Sequence, residues 1–558
     1  MDDTRAKDRP PEFDDVFEHV QSFGRFQRIL YLCTHLLIIP VMLHFNLMIF
    51  AMGTPQFHCD VTNTTCPPNE CCKNCTSYAF DGPFTSIISE WNLICDGAAL
   101  GATVQSCLFA GMLVSCLFAG YLSDMFGRKK CMFTSVGIMS VASLAASYAP
   151  SLVVYASLQF FVGLGMMSFM LSLFTFGVEI VGPSWRTMAG NLNGMYWASG
   201  AFLGILLAYY IRDWQTLTRI SVAPMFLFLF FVRAYPDSPR YLLVKGRVED
   251  SMNILMKFGG KGVQPKPEVL RALLEDILRA EKKTVKTEKR YTPLDLIRTP
   301  KMRKFMFLMG INWFVTATMD FALYLSVTSL FGDIYLNFFL LQFPTLPLML
   351  IAWVAMKRLG RRVTSITARV LAGLVCLLIL AVPQEYPMAK SLLSIGGYSI
   401  SYVTWPTCYL MTSELFPTVL RNTSLATGSI CARIAALIAP YIAMLGHLPG
   451  VGMTVPIAVF GGLAIATAIA TLWVPETLFA RMHQTVEEAE AATDYYGMPC
   501  CGRQHVEPGS GVVNPAVAEE SAVEENRIDV TLKSLRAVAE NGTSLFDNKN
   551  DGEEVTSL

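Results

Sequence analysis

Charged residues are scarce in this chain. Lys, Arg, Asp and Glu make up 16% of its 558 residues, against about 25% in a soluble protein. The two signs balance at 44 each, and a neutral chain makes a poor partner for nucleic acid. Histidine is rarer still. The seven histidines are scattered, with no pair four apart that could hold a metal, and no nucleophile elbow is present. Neither an enzyme nor a cofactor is expected. Gly177-Val-Glu-Ile-Val-Gly-Pro-Ser184 has phosphate-loop glycine spacing, but Pro183 stands where a lysine must reach the phosphates, which excludes nucleotide binding. Met1 to Pro11 is charged and no early apolar core follows. No cleavable signal is expected, so the first apolar segment would itself direct insertion.

Apolar residues occupy the space that charge leaves. They form 53% of the chain and gather into twelve stretches, near 27–52, 97–122, 131–149, 153–178, 188–211, 217–235, 303–330, 334–356, 363–383, 388–411, 424–446 and 452–474. Most reach the ~20 residues that a helix needs to cross a bilayer. An even number puts both chain ends on one side. Arg128, Lys129 and Lys130 fill one short connection, Lys357, Arg358, Arg361 and Arg362 another, and 240–304 is a longer charged one, all after even-numbered spans. Both termini are therefore expected in the cytoplasm of a cell-membrane protein. The division that follows is a cytoplasmic N-terminus (1–26), a first six-helix half (27–235) with one long outer loop (53–96), a linker with short helices across the gap between the halves (236–302), a second half (303–474) and a polar tail (475–558).

Landmarks recur between the halves. The basic turn Gly120-Tyr-Leu-Ser-Asp-Met-Phe-Gly-Arg-Lys-Lys130 has a relative 233 residues later at Leu359-Gly-Arg-Arg362. Glu179 and Arg186 are matched by Glu414 and Arg421 at an offset of 235, and Pro236-Asp-Ser-Pro239 by Pro475-Glu-Thr477 at 239. These repeats read as a duplication. The expected fold is an all-α membrane protein of twelve transmembrane helices, in two six-helix bundles that face each other across a cavity and rock to open it to alternate sides. Asp124, Arg128, Glu179, Arg186, Arg361, Glu414 and Arg421 sit at span ends. They read either as anchors or, given the repeated spacing, as a lock whose pairs form when the cavity faces outward and part when it faces inward.

The outer loop holds Cys59, Cys66, Cys71, Cys72, Cys75 and Cys95, enough for three disulfides among fifteen pairings. Cys72-Lys-Asn-Cys75 also has zinc-ligand spacing, which an oxidising exterior disfavours. Asn63 and Asn74 open glycosylation sequons there. In the tail, Cys500-Cys501 suits acylation and the terminal Val-Thr-Ser-Leu558 suits a PDZ-type partner.

A charge inside a span is expensive and marks a site. Asp320 lies mid-span, and Trp313, Thr316, Asp320 and Tyr324 share one helical face. A carboxylate among rings suits an organic cation, because ring faces accept an ammonium that has no hydrogen to donate. Arg433 offers a planar fork of donors to a carboxylate. Tyr398, Tyr402, Trp405 and Tyr409 form a stripe on the tenth stretch, and Pro406 would let that helix bend. His44, Asn46 and Gln105 are further polar candidates. Each of these also has a plain packing reading. Asp320 with Arg433 would suit a zwitterion, Asp320 alone a cation, Arg433 alone an anion.

These motifs resemble the major facilitator superfamily and, within it, the organic cation, anion and carnitine transporter family. The resemblance rests on Phe23-Gly-Arg-Phe-Gln27, the Cys-rich first loop ending Glu90-Trp-Asn-Leu-Ile-Cys95, Tyr210-Ile-Arg-Asp-Trp214, Pro236-Asp-Ser-Pro-Arg240 and Ser413-Glu-Leu-Phe-Pro-Thr-Val-Leu-Arg421. It implies uptake or exchange of a small organic ion, a carnitine-like zwitterion or a cation first and an anion second, with a coupling ion left open. Cys431-Ala-Arg-Ile434 matches the anion and carnitine members. Gln159 stands where many members carry arginine, Met349 where anion transporters carry lysine, and Lys357 where the first loop motif has Asp124. A reading of another class is a non-transporting receptor on the same fold.

Overall fold

The computed structural model describes residues 11, 13–60, 64–65, 75, 77–259, 266–287, 293–383, 385–445, 454–478, 483 and 485–491. Twelve helical segments stand on the twelve apolar stretches. They are α1 (Arg25–Ala51), α2 (Ala98–Phe126), α3 (Arg128–Ala146), α4 (Leu152–Glu179), α5 (Arg186–Tyr210), α6 (Trp214–Leu229), α7 (Pro300–Leu325), α8 (Ile334–Arg358), α9 (Arg361–Ala381), α10 (Pro387–Tyr402 and Thr404–Leu415), α11 (Thr418–Met444) and α12 (Thr454–Thr471). Among the described residues, eight are long and apolar enough to cross a membrane. Among those that fall short, α3 and α10 carry serines such as Ser140, Ser143, Ser399 and Ser401, all turned inward and buried. The outward surface is apolar instead, with Val153, Phe230, Phe307 and Leu350 largely exposed, as lipid contact requires.

Prolines account for the breaks. α1 is interrupted after His35, and Pro40 has no N–H to give the Leu36 carbonyl. α8 is interrupted at Phe343–Pro344. α10 divides at Val403, where Pro406 cannot donate to Tyr402, so the bend expected from Pro406 is present. Close helix contacts depend on glycine. A Cβ on Gly111 or Gly163 would collide with a backbone carbonyl of the facing helix, so α2 and α4 touch main chain to main chain.

The outer loop contains a small antiparallel sheet that apolar patterning did not reveal: β1 (Phe57–Cys59) lies between β2 (Thr64–Thr65) and β3 (Tyr78–Phe80). Cys59 and Cys75 form a disulfide that staples it, and Cys95 is also disulfide-bonded. Cys66, Cys71, Cys72, Asn63 and Asn74 lie outside the described residues. The loop is tied to the start of α6, where Thr85 Oγ1 donates to Asp213 at 2.9 Å and Trp214 Nε1 donates to Glu90 at 2.8 Å. Burial acts to raise the Asp213 carboxyl, but donors from Thr216 and Thr85 prevail and hold it below the usual carboxylate range.

The linker forms helices at Val248–Leu255 and Pro267–Thr287. The expectation that they cross the gap between the halves is not met. Their apolar faces pack with Phe13, Val16 and Phe17 of the N-terminal segment and with Tyr31, Phe176 and Ile180 of the first half. A charged linker with one apolar stripe has a ready partner there, and burying that stripe removes it from water.

Candidate functional site

The mid-span charges of the second half come together. Asp320 is buried, 8% exposed. Its carboxylate lies among Tyr324, Tyr398, Tyr402 and Trp405 and within range of the Arg433 charge. Arg433 acts likewise on Tyr409, which is half exposed. The rings form two runs: Tyr324–Tyr398 at 6.5 Å with Tyr398–Tyr402 at 6.1 Å, and Trp405–Tyr409 at 6.3 Å between centroids. Asp320 Oδ1 and Arg433 Nε are both buried with no hydrogen-bond partner. No ion pair joins the two residues, although the Arg433 charge reaches the Asp320 carboxylate, which also bonds Trp405. A buried polar atom without a partner is costly and native structures rarely keep one idle.

Of the other expected members, Trp313 lies edge-on to Trp405 and Tyr409, at 6.0 and 4.5 Å between centroids, and His44 stands elsewhere. Trp313 is fully buried, its indole donates to Thr412 at 3.0 Å, and its ring lies on Gly428, where any Cβ would strike it at 2.5 Å. It packs α7 against α10 and α11. His44 is bonded at both ring nitrogens, Nδ1 to Ser221 and Nε2 to Ser143, each at 2.9 Å. It joins α1, α3 and α6 inside the first half. Helical phase alone cannot separate the cavity side of α1 from the side that meets α3 and α6.

The halves meet at the end that carries the loop. Ser106 donates to the Leu437 carbonyl at 2.8 Å and Tyr441 to Thr103 at 3.2 Å, joining α2 to α11. Tyr324 donates to Asn46 Oδ1 at 2.6 Å, joining α7 to α1, with Phe45 stacked beside it. At the other end of α2, Leu117, Phe118, Tyr121 and Phe126 are exposed. The halves are thus joined at the loop end. Tyr324→Phe removes a bond of about 1 kcal/mol from that joined face. In a Ser106→Cys background it should raise labelling by an impermeant maleimide about fivefold. Unchanged labelling would mean that the bond does not hold the face shut.

At the basic end the repeated landmarks form two matching clasps. Gly127 (φ +103°) turns α2 into α3 and Gly360 (φ +97°) turns α8 into α9, a conformation suited to glycine. Arg128 bonds Glu179 at 2.8 Å and Asp124 at 2.8 Å, and Arg361 bonds Glu414 at 3.0 Å. Asp237 accepts from the Lys129 amide, while Glu476 accepts from those of Arg361 and Arg362. Carboxylates thus cap the N-termini of α3 and α9, where the helix dipole favours them. Arg186 pairs with Asp14 of the N-terminal segment at 2.6 Å, and Arg421 lies in the first turn of α11. Each observed pair lies within one half, because Glu179 and Glu414 end their helices beside their own half's turn.

A family model described as "Sugar (and other) transporter" matches residues 47–492. The chain belongs to this transporter family. It is a multi-pass membrane transporter and not an enzyme. It is 28% identical over 521 residues to "Organic cation transporter protein" of Drosophila melanogaster, covering 86% of this chain and 94% of that one. It is 27% identical to human "Organic cation/carnitine transporter 2", over 86% of this chain and 94% of that one. The fold is similar to that of a solved structure described as the inward open conformation of the xylose transporter XylE from E. coli, at a TM-score of 0.61 and 16% identity, covering 83% of this chain and 99% of that one.

Sequence reading of this transporter overlooked three features. Asn46, one of the further polar candidates, is one of the acceptors that join the halves. Asp237 and Glu476, each directly after a landmark proline, cap helix starts 108 and 115 residues away, so no local capping signal exposes them. Arg369, one turn beyond Ser365 on α9, went unnoticed, though a lone arginine in an apolar stretch is itself a flag.

Proposed function

We propose that this transporter carries a small organic ion by alternating access, and that the ion is a zwitterion of the carnitine type. Its ammonium end would sit against Asp320 within Tyr324, Tyr398, Tyr402 and Trp405, and its carboxylate against Arg433 beside Tyr409. The observation that carries this reading is the pair of buried, unpartnered atoms of opposite charge, Asp320 Oδ1 and Arg433 Nε. A plain cation would leave Arg433 unmatched and a plain anion would leave Asp320 so, at the cost of a buried unpaired charge. The printed names of the relatives, organic cation and carnitine among them, support the same class.

The matched clasps at Arg128 and Arg361 would keep each half rigid while the halves rock. The cell membrane is the proposed location, with the basic end and both termini cytoplasmic. The N-terminal segment and Val486–Ala491 both lie at the basic end, through Asp14–Arg186 and Lys301–Glu490, which supports this orientation. The PDZ-type terminus and Cys500-Cys501 fall outside the described residues. Proteoliposomes holding the full chain test the substrate reading with carnitine, choline and a simple carboxylate as tracers. Carnitine should enter fastest. Uptake of choline alone would replace the reading with that of a cation transporter, and uptake of the carboxylate alone with that of an anion transporter. Tight binding without flux would favour a receptor.

A further inference from the structure

Arg369 is 1% exposed, one of the largest fully buried side chains of the molecule. Its Nη2 donates to Thr316 Oγ1 at 2.9 Å and to Cys408 Sγ at 3.2 Å, and its Nε reaches Ser365 Oγ at 3.4 Å. Among the described residues no carboxylate bonds to it; its partners are two hydroxyls and a thiol. A hydrogen-bonded hub joining α7, α9 and α10 could be built from neutral side chains without desolvating a permanent charge. The charge itself therefore needs a use.

Its position supplies one. Thr316 precedes Asp320 by one turn on the same face of α7, about 6 Å along the axis. The guanidinium thus lies within roughly 10 Å of the acid, and Cys408 stands one turn from Trp405 on α10. Asp320 contributes one negative charge to this wall, Arg433 and Arg369 two positive ones. The balance is positive, and the surrounding protein screens it far less than water would.

We propose that Arg369 is a specificity-determining residue, whose uncompensated positive charge behind Thr316 biases the site towards ions that carry a carboxylate and against those that carry only an ammonium. This rests on the reading of Asp320 and Arg433 as the substrate site. Arg369 acts through its field and touches no substrate. At roughly 10 Å and an effective dielectric constant of about 20, its removal corresponds to about a tenfold change in relative affinity.

The test compares the full chain in proteoliposomes with Arg369→Met, which keeps the bulk and loses the charge, and Arg369→Lys, which keeps the charge. Choline and glycine betaine share a trimethylammonium head and differ in the carboxylate. Their inhibition constants are measured against whichever tracer the wild type carries. In Arg369→Met the ratio of the betaine constant to the choline constant should rise about tenfold, and Arg369→Lys should restore most of it. Arg369→Gln serves as the neutral variant if the methionine chain does not reach the membrane. A ratio unchanged in the neutral variants, with both constants or the maximal rate altered together, would overturn the inference and leave a structural hub. Wild-type flux of no organic ion would overturn the substrate reading and this inference together.

Discussion

Arg433→Gln should lower kcat/KM for a carboxylate-bearing zwitterion by about tenfold to a hundredfold, while a matched cation is affected several-fold less. No ion pair fixes the Arg433 guanidinium, and its Nε is buried without a partner. A hydrogen bond to a charged group is worth about 1.5–3 kcal/mol, which sets the size of the effect. Glutamine keeps a donor but loses the charge and the planar fork. Asp320→Asn is the mirror experiment. The ring cage would remain, yet its charge would be gone, so the onium end loses its attraction while carboxylate affinity holds. If both variants carried every organic ion at the wild-type rate, these two residues would not form the site. A loss of the same size for cation, zwitterion and anion would point instead to a fold supported by the pair.

The second large effect concerns stability. Glu179 is 8% exposed and Arg128 11%, and three hydrogen bonds connect them. Glu179→Ala leaves the Arg128 guanidinium with Asp124, whose side chain is 71% exposed, and with the Ser123 carbonyl. Breaking a buried pair from one side costs about 3 kcal/mol or more. Thermal unfolding in detergent should show a clear drop in midpoint for Glu179→Ala and almost none for Asp124→Asn. Glu414→Ala should fall between them. Its pair with Arg361 is a single 3.0 Å contact at 16% and 18% exposure, and Thr477 is left to find another acceptor. Equal midpoints for Glu179→Ala and Asp124→Asn would mean that water already reaches the first clasp.

Much of this was readable along the chain. The twelve helices stand where apolar runs of adequate length stand, because in lipid a backbone can satisfy itself only within a helix. The turns at Gly127 and Gly360 were visible as basic Gly-Arg pairs, and their repeat at 233 residues signalled two similar halves. Asp320 and Arg433 drew attention because charge in an apolar run is rare. Rarity marks a position and leaves its neighbours unnamed. Trp313 shares a helical face with Asp320, and its contacts with Gly428, Trp405 and Tyr409 all come from other helices. His44 is as conspicuous as Asp320, yet serines from α3 and α6 occupy both its nitrogens.

Composition and period thus set the number of helices, their order, the duplicated plan and the positions of costly charge, since each depends on residues close together in the chain. Which costly charges stay unpaired, which halves touch and at which end, and where Arg369 points depend on helices hundreds of residues apart arriving side by side. That arrangement is decided by packing: by the glycines that admit a facing backbone, by the prolines that bend α1, α8 and α10, and by the partner that each buried polar atom finds.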